Sequence, residues 1–294
     1  MSMTAIRRAT PVDLGTLAFV ALLWALAFVA IKVAVPALGP AGVALARGVI
    51  GCAVLLPFAL ARGLQMPVGR EQWRLVLAMS LLNITVPFVA ISWAELTIDA
   101  GVTSLLMGVG PLLAMIGAHY FNEGDRMTPR RLAGVALGFS GIVVLVGVEA
   151  VTGLGGALLA QGAALGASLC YVVAGLLVRR IDIEPLSLSV LALGIAAATL
   201  APVFWLTGGG DAPVTMEVAA VTVFLGVFPT GLAYILRFGL IRRIGYATFA
   251  LGINLIPVFG VALGVALLGE PLTASLLAAL ALVAGGLLIA RSGS

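Results

Sequence analysis

Residues 128–147 read TPRRLAGVALGFSGIVVLVG, and residues 273–292 read TASLLAALALVAGGLLIARS. Each stretch opens on a threonine and continues through apolar and small residues for about the length of a membrane crossing. Each also closes a series of matching features. Upstream of the first lie Pro111, inside an apolar run, and then a lone Glu123; upstream of the second lie Pro257 and Glu270. Further back, Pro87 and Pro229 each sit within an apolar run. The chain therefore reads as one unit written twice, over residues 1–150 and 151–294. A unit of five spans is odd in number, so its second copy must enter the membrane from the opposite side. Inverted halves related by a two-fold axis in the membrane plane are a transporter arrangement, with the solute site near the midplane.

Composition supports a membrane chain. Of 294 residues, 62% are hydrophobic and 10% charged, against about 25% charged in soluble domains. Too little charge is present to coat a globule. Glycine, at 37 residues, suits close helix packing in lipid. A helix needs about 20 mainly apolar residues to cross. That length is met over 12–35, 40–60, 73–98, 101–120, 132–148, 154–178, 185–206, 214–236, 246–268 and 273–290. The predicted fold is thus all-α, with ten transmembrane helices in two inverted five-helix repeats. The first span follows Arg7 and Arg8 and is too long for a signal-peptide core, so it is expected to be retained.

Charge placement orients the chain. Fourteen of the 16 basic residues fall at the termini or on even-numbered connections, leaving Lys32 and Arg47 inside spans. The odd-numbered connections carry Asp99, Glu149, Asp211 and Glu270. By the positive-inside rule both termini face the cytoplasm of a bacterial-type inner membrane. Basic residues scattered between apolar runs form no nucleic-acid patch. One histidine and two cysteines, Cys52 and Cys170, at no ligand spacing, point to no metal or other cofactor. No phosphate-cradling GxxxxGK[ST] loop appears, so ATP is not the direct energy source.

The stretches LWALAFVAIKVAVP (residues 23–36) and GPAGVALAR (residues 39–47), with the Pro–Glu–Gly pattern closing each half, resemble the EamA family of the drug/metabolite transporter superfamily. The resemblance covers nearly the whole chain and implies export of small metabolites, amino acids among them. It implies a cavity lined by the first, third, fourth, sixth, eighth and ninth spans. The second half lacks counterparts of Trp24 and Arg47.

Ionisable groups within spans cost about 2.5–3.5 kcal/mol each at the helix centre. Lys32, Arg47 and Glu95 are therefore informative. Lys32 and Glu95 have two readings. Either Lys32 snorkels to the headgroups and Glu95 caps its helix end, or the two form a gating or bracing ion pair. Arg47 is expected to be buried against a neighbouring helix. Trp24, Phe28 and Lys32 are spaced by four along one side of the first span. Thr85, Phe88, Ser92, Glu95 and Asp99 follow a helical period on the third. Superposing Pro87 on Pro229 lays Phe88, Ser92 and Glu95 over Thr230, Tyr234 and Arg237. Trp24, Phe28, Phe88, Ser92, Tyr171, Thr230, Tyr234 and Asn254, with Ser168, would then offer aromatic surface and neutral hydrogen bonds to a small amphipathic solute. Lys32, Glu95, Arg47 and Arg237 would gate or pair. Pro87, Pro111, Pro229 and Pro257 would act as hinges or stand as static kinks.

The reading that follows is a secondary transporter exporting aromatic or neutral amino acids, or similar small metabolites, by alternating access. A sugar, nucleotide-sugar or drug-like solute is the alternative. An intramembrane enzyme lacks its nucleophile or dyad, and a channel lacks its pore loop or ring of charge. Gly134 with Gly138, Gly162 with Gly166, and Gly260 with Gly264 pack helices within the chain or form a homodimer.

Overall fold

A computed structural model describes residues 9–121, 128–151, 155–178 and 180–291. Glu123, Arg7, Arg8, Arg126 and Arg179 lie outside these residues. All regular structure among them is helical.

The first helix, α1 (Pro11–Ala61), starts at a capping box. Thr10 Oγ1 accepts from the Asp13 amide at 3.3 Å, and Asp13 Oδ2 accepts from the Thr10 amide at 3.0 Å. At 51 residues it is about 76 Å long, more than twice the roughly 30 Å of hydrocarbon. The chain turns at Gly39, whose φ of 67° and ψ of 165° are not helical, between Pro36 and Pro40. Trp24 on one arm and Arg47 on the other contact adjacent residues, Pro229 and Thr230. A straight rod would hold them about 35 Å apart, so the arms double back side by side.

Two long stretches are helical throughout but widen once. α2 (Gly69–Ser80) passes through a π turn, Leu81–Thr85, into α3 (Val86–Ala94). α4 (Ala100–Met107), α5 (Gly110–Phe121), α6 (Pro129–Val151), α7 (Gly155–Val178) and α8 (Pro185–Thr207) follow. Then α9 (Met216–Leu225) passes through a second π turn, Gly226–Leu232, into α10 (Ala233–Ile253). A proline lacks an N–H and clashes with the carbonyl one turn back; the wider turns beside Pro87 and around Pro229 relieve that clash. The matched prolines therefore mark matched π turns.

Pro111 and Pro257 differ from expectation. Neither kinks a helix from within. Each stands in the first turn of a new one, α5 and α11 (Ile256–Leu268), after breaks at 108–109 and 254–255. A first-turn N–H has no helical partner to lose, so proline costs nothing there. The two breaks touch, since a side chain on Gly108 would strike the Pro257 ring. The expected connection at 237–245 also lies within α10, whose sequence there carries no proline to stop it. Arg243 pairs with Asp13 at 3.6 Å across this region.

The repeated stretches with which the sequence was read form α6 and α12 (Ala274–Arg291). Their threonines are equivalent N-caps: Thr128 Oγ1 accepts from the Arg131 amide at 3.2 Å and Thr273 Oγ1 from the Leu276 amide at 3.1 Å. The two helices pack antiparallel. Gly134 lies against the Gly286 carbonyl, and Gly141 against the Ala279 carbonyl. The alignment that lays Thr128 on Thr273 also lays Gly134 on Ala279 and Gly141 on Gly286. The two contacts thus exchange with each other under that alignment.

Five stretches are long and apolar enough to cross a membrane: Pro11–Ala61, Gly69–Ala94, Ala157–Val178, Pro185–Thr207 and Met216–Arg237. Shorter apolar helices occupy Ala100–Ile116, Ile256–Leu268 and Ala274–Ala290. Large apolar side chains such as Leu159, Trp205 and Leu206 stand exposed on the outer surface, as a lipid-facing boundary requires. Of the small-residue pairs, Gly134/Gly138 and Gly260/Gly264 pack against neighbouring elements, whereas Gly162 and Gly166 meet nothing within 4 Å.

Candidate functional site

Of the residues expected inside the bundle, Arg47, Phe88 and Thr230 meet where α1 approaches α3 and the second π turn. Arg47 is 7% exposed. Its guanidinium carbon lies 3.7 Å from the centroid of the Phe88 ring, and its Nε donates to Thr230 Oγ1 at 3.3 Å. Thr230 Oγ1 itself donates to the Leu225 carbonyl at 2.9 Å, whose α-helical donor position four residues on is Pro229 and has no N–H. A buried cation is thus held by an aromatic face and one hydroxyl. Arg47 also senses Tyr171, Tyr234 and Glu95 electrostatically.

The first-span stripe runs along this region as its spacing implied. Trp24 Nε1 donates to the Pro229 carbonyl at 3.0 Å, and its ring meets Phe249 edge-on at 6.1 Å. Phe28 is buried in an apolar cluster with Ile91, against which Tyr171 packs. Arg237 lies 5.8 Å from the Tyr234 ring and 5.9 Å from the Phe249 ring, and its Nε has no hydrogen-bond partner among the described residues. On α7, Ser168 Oγ donates to the Met107 carbonyl at 3.4 Å, where α4 ends at its break.

Thr85, at the end of the first π turn, meets Thr199 on α8 at 3.2 Å. Two expectations need correction. Lys32 does not pair with the Glu95 carboxylate. Its Nζ donates to the main-chain carbonyls of Glu95, at 2.8 Å, and Ile98, at 2.7 Å, because a helix C-terminus presents unbonded carbonyls with partial negative charge. Asn254 borders a gap of about 10 Å³ with Pro257, Val258, Leu280, Val283, Ala284 and Leu287, so it faces α12 and not Arg47.

One end of the bundle is tied together by bonds the sequence did not announce. Glu270 Oε1 and Oε2 accept from the amides of Ala100, at 2.6 Å, and Gly101, at 2.9 Å. An anion on a helix N-terminus and a cation on the preceding C-terminus both oppose the local dipole charge. Lys32 and Glu270 therefore clamp the two sides of the 95–99 connection. Burial pushes the Glu270 carboxyl up from the usual carboxylate range, and the two amides oppose that rise. Nearby, Gly210 donates to the Ala37 carbonyl and Ala212 to the Pro36 carbonyl, each at 3.0 Å. Gly209 and Gly210 permit this approach, since a side chain on Gly210 would strike Pro36. Outside the seal lies a depression of about 450 Å³ lined by Val35, Pro36, Gly39, Leu96 and the 209–212 loop. From sequence Glu270 stood out only as the acid that follows Pro257 on an odd-numbered connection; its partners are two amides, which no sequence pattern marks.

Similarity to known proteins agrees with this architecture. The chain is 26% identical over 271 residues, 91% of its length and 90% of the other's, to a probable terminal-alkyne amino-acid exporter of Streptantibioticus cattleyicolor. It is 26% identical over 274 residues, covering 93% of this chain and 96% of the other, to an uncharacterized transporter of Archaeoglobus fulgidus. It is also 26% identical over 284 residues, 95% and 91% of the two chains, to the uncharacterized transporter YvbV of Bacillus subtilis. A protein of known crystal structure shares its fold, with a TM-score of 0.68 at 24% identity over 96% of this chain and 98% of that one. The profile of the EamA-like transporter family matches twice, over residues 14–147 and 154–292. A duplicated match across nearly the whole sequence makes the chain a member of the EamA-like transporter family.

Proposed function

We propose that the protein is a secondary transporter that exports amino acids, aromatic or neutral ones first, by alternating access across a bacterial-type inner membrane. In this reading it has ten spans in two inverted five-helix halves, with both termini cytoplasmic. The observation that carries it is the meeting of Arg47, Phe88 and Thr230, because the two family matches each contribute to one buried polar cluster. Polar groups at that depth need protein or water to face. Trp24, Phe28, Tyr171 and Tyr234 supply the apolar wall for a small amphipathic solute, and Ser92 and Thr230 its polar contacts.

Under the same topology the Lys32 and Glu270 clamp stands at the extracellular end, so the state described is shut to the outside. The matched π turns at Pro87 and Pro229 and the matched breaks before Pro111 and Pro257 are the points at which half-helices rock. The printed name of the S. cattleyicolor relative favours amino acids as cargo. Counterflow into proteoliposomes loaded with a panel of labelled amino acids, sugars and nucleotide-sugars tests the proposal. Flux of one or more amino acids is expected. Flux of a sugar, a nucleotide-sugar or a drug-like compound with none of any amino acid would replace this cargo with the alternative.

A further inference from the structure

Buried polar atoms in proteins are nearly always hydrogen-bonded, and an exception calls for a reason. On the face that α3 turns toward Arg47, three consecutive polar atoms are exceptions: Ser92 Oγ, Glu95 Oε1 and Glu95 Oε2 have no partner among the described residues. Ser92 is 0% exposed and Glu95 1%. Protonation does not resolve the carboxyl. Ionised, it lacks donors; neutral, it lacks an acceptor. Lys32 acts on this carboxyl through space but is no hydrogen-bond partner of it: two of its ammonium hydrogens go to the Glu95 and Ile98 carbonyls and none reaches Oε1 or Oε2.

Arg47 is the complementary case. It interacts electrostatically with Glu95, yet it rests on the Phe88 ring and bonds Thr230, and no carboxylate contacts it among the described residues. The bundle therefore holds a buried carboxyl at the end of α3 and a buried guanidinium from α1 that rests on Phe88 of the same α3 face, and neither is neutralised by contact among the described residues. A solute with a single positive charge would answer Glu95 and leave Arg47. A solute with a single negative charge would do the reverse, and a neutral sugar would leave both. A solute bearing an ammonium and a carboxylate on the same carbon answers both.

We infer that Glu95 with Ser92 binds the ammonium group, and Arg47 the carboxylate, of a zwitterionic solute, so that free α-amino acids are carried in preference to forms lacking either charge. The inference rests on the transport reading above and narrows its cargo. Ser92 adds a hydroxyl acceptor for one ammonium hydrogen, and Phe28 and Tyr171, in the adjoining apolar cluster, leave the amino-acid side chain an apolar wall.

Proteoliposome counterflow of labelled L-phenylalanine and L-leucine tests this, with N-acetyl-L-phenylalanine and 2-phenylethylamine as competitors. In the unaltered protein the free amino acid should compete at least tenfold better than either derivative. E95Q should lose at least tenfold of the preference over the N-acetyl form, and R47Q at least tenfold of the preference over the amine. Equal competition by the derivatives in the unaltered protein, which needs no variant to fold, overturns the inference while leaving amino-acid transport standing. So does an E95Q protein that carries amino acids with the preference unchanged. Flux of neither amino acid, with or without flux of another solute, overturns the cargo reading and this inference together.

Discussion

Arg47 keeps its charge out of lipid by resting over the Phe88 ring and donating to Thr230. Both contacts use the planar guanidinium, so R47K keeps the charge and loses the geometry. A buried cation–π contact is worth about 2 kcal/mol, and every 1.4 kcal/mol is about tenfold. R47K should therefore lower amino-acid counterflow by about tenfold or more while the protein still purifies as a folded species. Counterflow at rates like those of the unaltered protein would remove Arg47 from the site. Trp24 offers a milder comparison. W24F keeps an aromatic ring against Phe249 and removes one neutral bond to the Pro229 carbonyl, so thermal unfolding in detergent should report a loss of about 0.5–1.5 kcal/mol. At this scale the sequence was informative about period and silent about partners. The spacing of Trp24, Phe28 and Lys32 marked one face, along which they reach the Pro229 carbonyl, the cluster with Ile91, and the Glu95 and Ile98 carbonyls. The receivers of Trp24 and Lys32 are main-chain carbonyls, which every residue carries, so no residue type could have pointed to them.

Among the elements, the α4 N-terminus and the α6–α12 pair are the most exposed to test. The two amide bonds of Glu270 are charge-assisted and sit on a helix N-terminus. E270Q keeps the shape but not the charge. With charge-assisted bonds worth roughly 1.5–3 kcal/mol, the clamped end should open at least tenfold more often. A cysteine placed by I98C, at a position 4% exposed, in a background without Cys52 and Cys170, should then react correspondingly faster with a maleimide. An unchanged rate would mean that Glu270 caps α4 without holding the end shut. In α6, Gly134 faces the Gly286 carbonyl with no room for a side chain. G134L should separate α6 from α12 and cost about 1–3 kcal/mol or more, read as a lowered unfolding temperature. The matching of these helices was visible as two similar stretches of sequence. The π turns were not, because a widened turn is a response of the backbone to proline in a packed helix and leaves no residue pattern of its own.

For the whole molecule the proposed topology sets the side on which each connection lies. With the protein in sealed inverted vesicles, a membrane-impermeant thiol reagent should label R62C rapidly and D211C only after the membrane is permeabilised. Labelling of both from one side would break the inverted arrangement. Composition, the length of the apolar runs and the sorting of arginines determined a helical membrane chain, and two similar stretches determined that it is built from a repeated unit, because these are properties summed along the chain. The tertiary structure alone decided which carbonyls Lys32 and Trp24 reach, that Glu270 docks on α4, that Asn254 turns to α12, and that the Ser92 hydroxyl and the Glu95 carboxyl find no hydrogen-bond partner among the described residues. Those outcomes depend on which helix ends and which main-chain groups meet in space, and a one-dimensional pattern of side chains does not record where the backbone turns.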